Sequence, residues 1–147
     1  MDEILCFDKK DEFNQLIEEL DAFIANAPKH ELTKEIIQTK ELSKPFFAQH
    51  FPTSAGIYTI WVGDQLAYIG KASNLRELLK WHSVYSPNYD KHGKRTTPDS
   101  KRDEVLEALE TQKVFFSVIT IEPEQMRAGL ESGLQKKHPA IWCDRID

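Results

Sequence analysis

The sequence has little cysteine: its two residues, Cys6 and Cys143, stand at opposite ends of a 147-residue chain with no CxxC spacing. That argues against a zinc knuckle or a disulfide framework and leaves buried free thiols as the expected state. Also missing is any apolar run approaching a membrane span, so the chain is not expected to cross a bilayer. The N-terminus, MDEILCFDKK, has no basic segment followed by an apolar stretch. It gives no support to a secretory leader, which makes the cytoplasm the expected compartment. Internal repeats and low-complexity tracts are absent as well. What remains, 40% hydrophobic and 29% charged residues, reads as a soluble globular chain. The length allows one domain with a real core, plus an extension.

The formal charge of -5 is unevenly spread. Residues 1–50 carry 6 Lys and Arg against 11 Asp and Glu, and residues 51–147 carry 13 of each. Within the neutral part, residues 71–102 hold eight cations, Lys71, Arg76, Lys80, Lys91, Lys94, Arg95, Lys101 and Arg102, against Glu77, Asp90 and Asp99. Two readings stand for this run: a merely solvated face, or a surface that contacts several phosphates.

Periodicity divides the chain. Phe13, Leu16, Ile17, Leu20, Phe23 and Ile24 fall at spacings of three and four, which predicts an amphipathic helix from Asp8 to Ala27, ended by Pro28. A weaker helix is expected from about Glu31 to Leu42, stopping before Pro45, and KPFFAQHFPTSA reads as a connector with aromatic anchors. From Gly56 the period turns extended through Val62, breaks at Gly63-Asp64, and resumes from about Gln65 to Gly70 as a hairpin. Asn74 is placed to cap a helix reaching about Tyr85, followed by a polar loop over Ser86 to Asp99. Lys101 to Glu110 reads as a helix, Val114 to Ile121 as a buried strand, and Glu124 to Lys137 as a last helix before Pro139. The expected class is α+β: from Gly56 a β-β-α-α-β-α order, a small antiparallel sheet flanked by helices. Residues 1–50 are expected to be an acidic helical extension and 51–147 the functional domain.

Gly56-Ile57-Tyr58 and Tyr68-Ile69-Gly70, nine residues apart across a turn and followed by Lys71 and an Asn-led helix (KASNLR), resemble the GIY-YIG nuclease superfamily over about residues 56–147. The resemblance implies cleavage of nucleic-acid phosphodiesters, with Tyr58 and Tyr68 lining the site, one assisting proton transfer from the attacking water and the other positioning it. It implies a carboxylate on the last helix, Glu131 in GLESGLQKKHP, that holds one divalent metal ion, magnesium or manganese. Such a cation suits a transition state that gathers charge on the phosphate oxygens, and Lys71 is placed to add to it. His82 matches a histidine that some members use near the phosphate, and its other reading is a core histidine beside three leucines. A parity rule adds a constraint. Tyr58 and Tyr68 share a sheet face only if paired positions sum to an even number, whereas a two-residue turn at Gly63-Asp64 pairs Val62 with Gln65 and gives an odd one. A three-residue loop or a one-residue bulge is therefore expected.

The chain departs from the family at two places. The helix after the second triplet carries a second arginine in the pattern NLRxR, and here Leu78 stands in its place. Arg76 points away from it by roughly 160 degrees, while Leu78 joins Leu75, Leu79 and His82 on one stripe. An asparagine beyond the last helix is replaced by Trp142 or Cys143. The leading expectation is a metal-dependent endonuclease acting on DNA, with Tyr58, Tyr68, Lys71, His82 and Glu131 as site residues and the eight cations as the nucleic-acid surface. The alternative is a degenerate relative that binds nucleic acid or a protein without cutting. In a third reading the acidic first fifty residues mask the basic region. The N-terminal helices are the expected surface for a protein partner, if there is one.

Overall fold

The structure, a computed structural model, describes residues 2–85, 88–94, 96, 100–121 and 124–137, the side chains of 2–13 and 124–128 excepted. The elements are α1 (Asp2–Asn26), β1 (His30–Leu32), α2 (Lys34–Gln38), α3 (Lys40–His50), β2 (Gly56–Val62), β3 (Gln65–Ala72), α4 (Leu75–Trp81), α5 (Arg102–Leu109), β4 (Val114–Thr120) and α6 (Glu124–Lys137). The class is α+β, and from Gly56 the order is β-β-α-α-β-α. The sheet has four antiparallel strands in the order β1-β4-β2-β3.

The strand that periodicity missed is β1. His30 and Leu32 pair with Phe116 and Val114, where a helix was expected to begin at about Glu31. Three residues are too few to display a period of two, so only the partner strand decides their state. The helix starts after them: the Thr33 hydroxyl caps α2 by accepting from the Ile36 N–H at 3.2 Å. A second difference is α3, which runs through Pro45 to His50 where a connector was expected. An interior proline costs ~3 kcal/mol. Phe47 and Phe51 are buried, and each such burial stabilises by about 1.5–3 kcal/mol, enough to offset it.

Strand alternation divides the core between the two faces of the sheet. On one face Ile57 and Ile69 are covered by Ile17, Leu20 and Ile24 of α1 and by Leu130 and Leu134 of α6. On the other, Tyr58, Ile60, Val62, Val114 and Phe116 meet Leu32, Ile37, Phe47, Phe51, Leu75, Leu79 and Val105 from the shorter helices and β1. Residues 1–50 thus supply one strand and part of both helical layers. Of the α1 stripe, Ile17, Leu20 and Ile24 face the sheet while Phe23 is 67% exposed, and the Phe13 side chain lies outside the described residues. Among the described residues no helix is long and apolar enough to cross a membrane.

Candidate active site

The hairpin resolves the parity constraint with a bulge. Val62 pairs with Gln65 across the two-residue turn, Trp61 with Leu66, and then the register shifts so that Ile60 pairs with Tyr68 and Tyr58 with Gly70. Ala67 is the additional residue. Gly63 takes φ 59°, the left-handed conformation that a turn with glycine at its first central position requires. The shift places Tyr58 and Tyr68 on one face, ring centroids 6.0 Å apart.

Both triplet glycines answer to a packing demand. A Cβ on Gly70 would fall inside the Tyr58 ring, against Cζ and Oη, so the cross-strand position opposite Tyr58 must be empty for the ring to lie across it. A Cβ on Gly56 would strike the Ile119 carbonyl of the neighbouring strand.

His82, the residue that ends α4, completes the cluster. Its Nε2 lies 2.7 Å from the Tyr58 hydroxyl oxygen, and its Nδ1 accepts the Lys101 backbone N–H at 3.0 Å. Because Nδ1 is an acceptor, the proton of the neutral ring sits on Nε2 and is donated to Tyr58. Burial, with the nearby Lys101 charge as a smaller cause, pushes the His82 pKa down to about 3. The ring is therefore neutral near pH 7, in a single tautomer. The Tyr58 and Tyr68 rings stand 5.3 Å and 5.8 Å from the imidazole. His82 is buried, as its core reading expects, and is hydrogen-bonded to Tyr58.

Three consecutive residues before and at the start of α5 fix the end of α4. The Ser100 hydroxyl donates to the Trp81 carbonyl at 3.2 Å, Lys101 N–H to His82, and Arg102 Nε to the Ser83 carbonyl at 2.9 Å. This clasp sets the height of His82 against Tyr58.

Lys101 corrects the expectation of a fully exposed basic run. Its side chain is 1% exposed, with Nζ 5.1 Å from the Tyr68 ring centroid and 4.0 Å from Glu104 Oε2. A buried ammonium persists only where anionic or aromatic partners compensate it, and here both are present. Arg76 is committed elsewhere: it donates to the Phe51 carbonyl at 2.8 Å and the Ala48 carbonyl at 3.3 Å, tying α4 to the end of α3. Lys80 lies 3.9 Å from Glu77, and Arg102 belongs to the clasp. Lys71, Lys91 and Lys94 are exposed. Arg95 lies outside the described residues, as do Trp142 and Cys143.

Leu78 is half-buried against the core cluster that includes Tyr68. Asn74 caps α4 as expected, its side-chain oxygen accepting from the Glu77 N–H at 3.1 Å, although the helix ends at Trp81 rather than near Tyr85. The remaining two expected site residues stand apart from the tyrosine cluster. Lys71 pairs with Ile57 and alternates to the Ile57/Ile69 face. Glu131 is half-buried on α6, the helix that covers that same face. One turn further along α6, Gln135 donates to the Ile69 carbonyl at 2.9 Å on the outer strand, while its Oε1 is buried with no partner among the described residues. Among the described residues no group of three or more His, Cys, Asp or Glu comes together as a metal cage. A carboxylate with an amide oxygen one turn away fits a hydrated magnesium-type ion, which keeps most of its waters and completes its shell with substrate oxygens. It does not fit an ion held by the protein alone.

No family profile matches the sequence, and no curated protein matches it. Two solved structures of one domain are similar to it. The similarity is to a GIY-YIG endonuclease domain. It is the N-terminal domain of UvrC from Thermotoga maritima, as two point variants each bound to its catalytic divalent cation. Identity is 20% with TM-scores of 0.47 and 0.45, over 73% of this chain and 99% of that one.

Sequence reasoning did not find Lys101 as a member of the cluster. One signal was available: a lysine at the start of a helix beyond a polar loop sits where the chain turns back toward the sheet.

Proposed function

We propose that this protein is a metal-dependent nuclease that hydrolyses nucleic-acid phosphodiesters, with DNA as its substrate. The observation that carries this reading is the hydrogen-bond order from the Lys101 N–H through His82 to Tyr58. A phenol oxygen that already accepts a fixed hydrogen bond turns its own proton elsewhere, and once that proton has left to solvent the same bond holds the anion. Tyr58 so prepared takes the proton of an attacking water. His82 keeps its Nε2 proton throughout and acts as orienter and donor. Tyr68, its ring centroid 6.0 Å from that of Tyr58, positions the water. The Lys101 ammonium, over the Tyr68 ring and shared with Glu104, is among the described residues the cation nearest the tyrosines at a site where Leu78 replaces an arginine. In a dry interior such a charge is felt far more strongly than in water. Glu131, with Gln135 Oε1, lies on the other side of the sheet beside the edge strand β3, so the divalent ion it would hold would meet the phosphate around that edge and supply charge neutralisation there and at the leaving oxygen. Exposed Lys71, Lys91 and Lys94 hold flanking phosphates.

The test is nicking of supercoiled plasmid in magnesium and in manganese. Tyr58→Phe should slow cleavage by about 10²- to 10⁴-fold, the range of one general base, and Glu131→Gln should abolish the metal-dependent part. Cleavage that survives Glu131→Gln removes the metal assignment.

Leu78 is the specific observation behind a second reading, binding without cutting. Leu78→Arg should raise cleavage, because the position is half-buried and a long side chain can carry its charged head to the surface. An inert wild type together with an inert, fully folded Leu78→Arg would leave the binding reading in place.

A further inference from the structure

Beside the tyrosine cluster, between the end of β3 and α4, lies a pocket of about 450 Å³ walled by Leu78, Trp81 and Tyr85, with Lys71, Asn74 and Glu77 at its rim. Its construction is fixed. The Tyr85 hydroxyl donates to Glu77 Oε2 at 3.0 Å, the Glu77 N–H is held by Asn74, and the Trp81 carbonyl belongs to the clasp. None of these residues other than Lys71 enters the reaction proposed above.

We propose that this pocket takes an unpaired nucleobase of the strand being cut, so that the preferred substrate carries single-stranded nucleotides at the cleavage point. Two aromatic walls and a leucine favour a flat, largely apolar group. The Glu77 carboxylate at the rim disfavours a second phosphate there, and Lys71 is placed to meet the phosphate attached to the base. Leu78 is one helical turn from His82, whose backbone N–H donates to the Leu78 carbonyl at 3.1 Å, so α4 joins the pocket to the tyrosine cluster. A base inside a duplex must first leave its stack to enter such a pocket, whereas an unpaired base enters without that loss. The proposal deepens the nuclease reading and rests on it for the identity of the ligand as nucleic acid.

Binding separates the two. A labelled 12-nucleotide DNA strand, the same sequence as blunt duplex, and a duplex with an unpaired 5′ flap are titrated in chelator, where no cleavage occurs. Wild type should bind the strand and the flap more tightly than the duplex. Trp81→Ala should weaken strand and flap by about 10- to 100-fold, within the range of base–aromatic stacking, and leave the duplex unchanged. Tyr85→Ala, at a position 41% exposed, repeats the test should Trp81→Ala unfold. Equal weakening of all three ligands, or none, overturns the pocket. Aromatic-dependent preference in a wild type that cuts nothing keeps the pocket and removes the nuclease. Cutting with no preference for unpaired strands does the reverse.

Discussion

Lowering the pH from 6.5 toward 3 is expected to remove about 5 kcal/mol of stability through His82 alone. The sign follows from its depressed pKa of about 3. Between that value and 6.5 the unfolded chain binds a proton that the folded chain refuses, so stability is full above pH 6.5. It then declines by about 1.4 kcal/mol per pH unit until the folded ring titrates. Protonation would also turn Nδ1 into a donor facing the Lys101 N–H and add charge beside the Lys101 ammonium. His30, held down by burial and by the stacked His50, adds in the same direction. Since domains of this size are stable by about 5–15 kcal/mol, the loss rivals the whole. Urea midpoints at pH 7, 6 and 5 measure it, with His82→Gln as the non-titrating comparison. Parallel slopes for the two proteins would mean that His82 accepts its proton without penalty, against the buried, singly protonated ring described above.

Gly70→Ala should disable the site without touching a reacting group. The added methyl would occupy the space of the Tyr58 ring, so the ring must swing away from His82 and its hydroxyl must leave the 2.7 Å contact. Overpacking of this kind costs about 1–3 kcal/mol in stability. Displacing a catalytic atom by an ångström costs on the order of 10²-fold in rate, so activity should fall much further than the melting temperature. Plasmid nicking beside a thermal melt measures both. A folded Gly70→Ala that cuts at the wild-type rate would show that Tyr58 does not need this seat.

That glycine also shows what the sequence made legible. The triplets and the turn sit within fifteen residues, and strand parity alone demanded an irregularity between the tyrosines. The demand was met by a bulge at Ala67 alongside the two-residue turn. His82 was legible as a residue on a leucine stripe and, through the resemblance, as a site candidate, but its tautomer was not, because its partner nitrogen belongs to a backbone nineteen residues away. Lys101 was read as surface for a related reason: charge density along a chain carries no information about which cation the fold turns inward. Strand β1 was hidden by its brevity, and α3 by a proline whose local penalty is outweighed by aromatic burial that only the tertiary structure supplies. In each case the signal was lost where a distant contact overrode a local rule.

The clasp between residues 81–83 and 100–102 has a consequence for how the molecule can change over time. It closes the connection from α4 to α5 at its base, so lengthening of that connection costs loop entropy of about 0.6 kcal/mol for each doubling of length, beside any loss of the Tyr89–Asp103 hydrogen bond that also ties it to α5. The His82–Tyr58 contact is thereby insulated from that connection. The connection can then change while the alignment of His82 against Tyr58 is inherited unchanged.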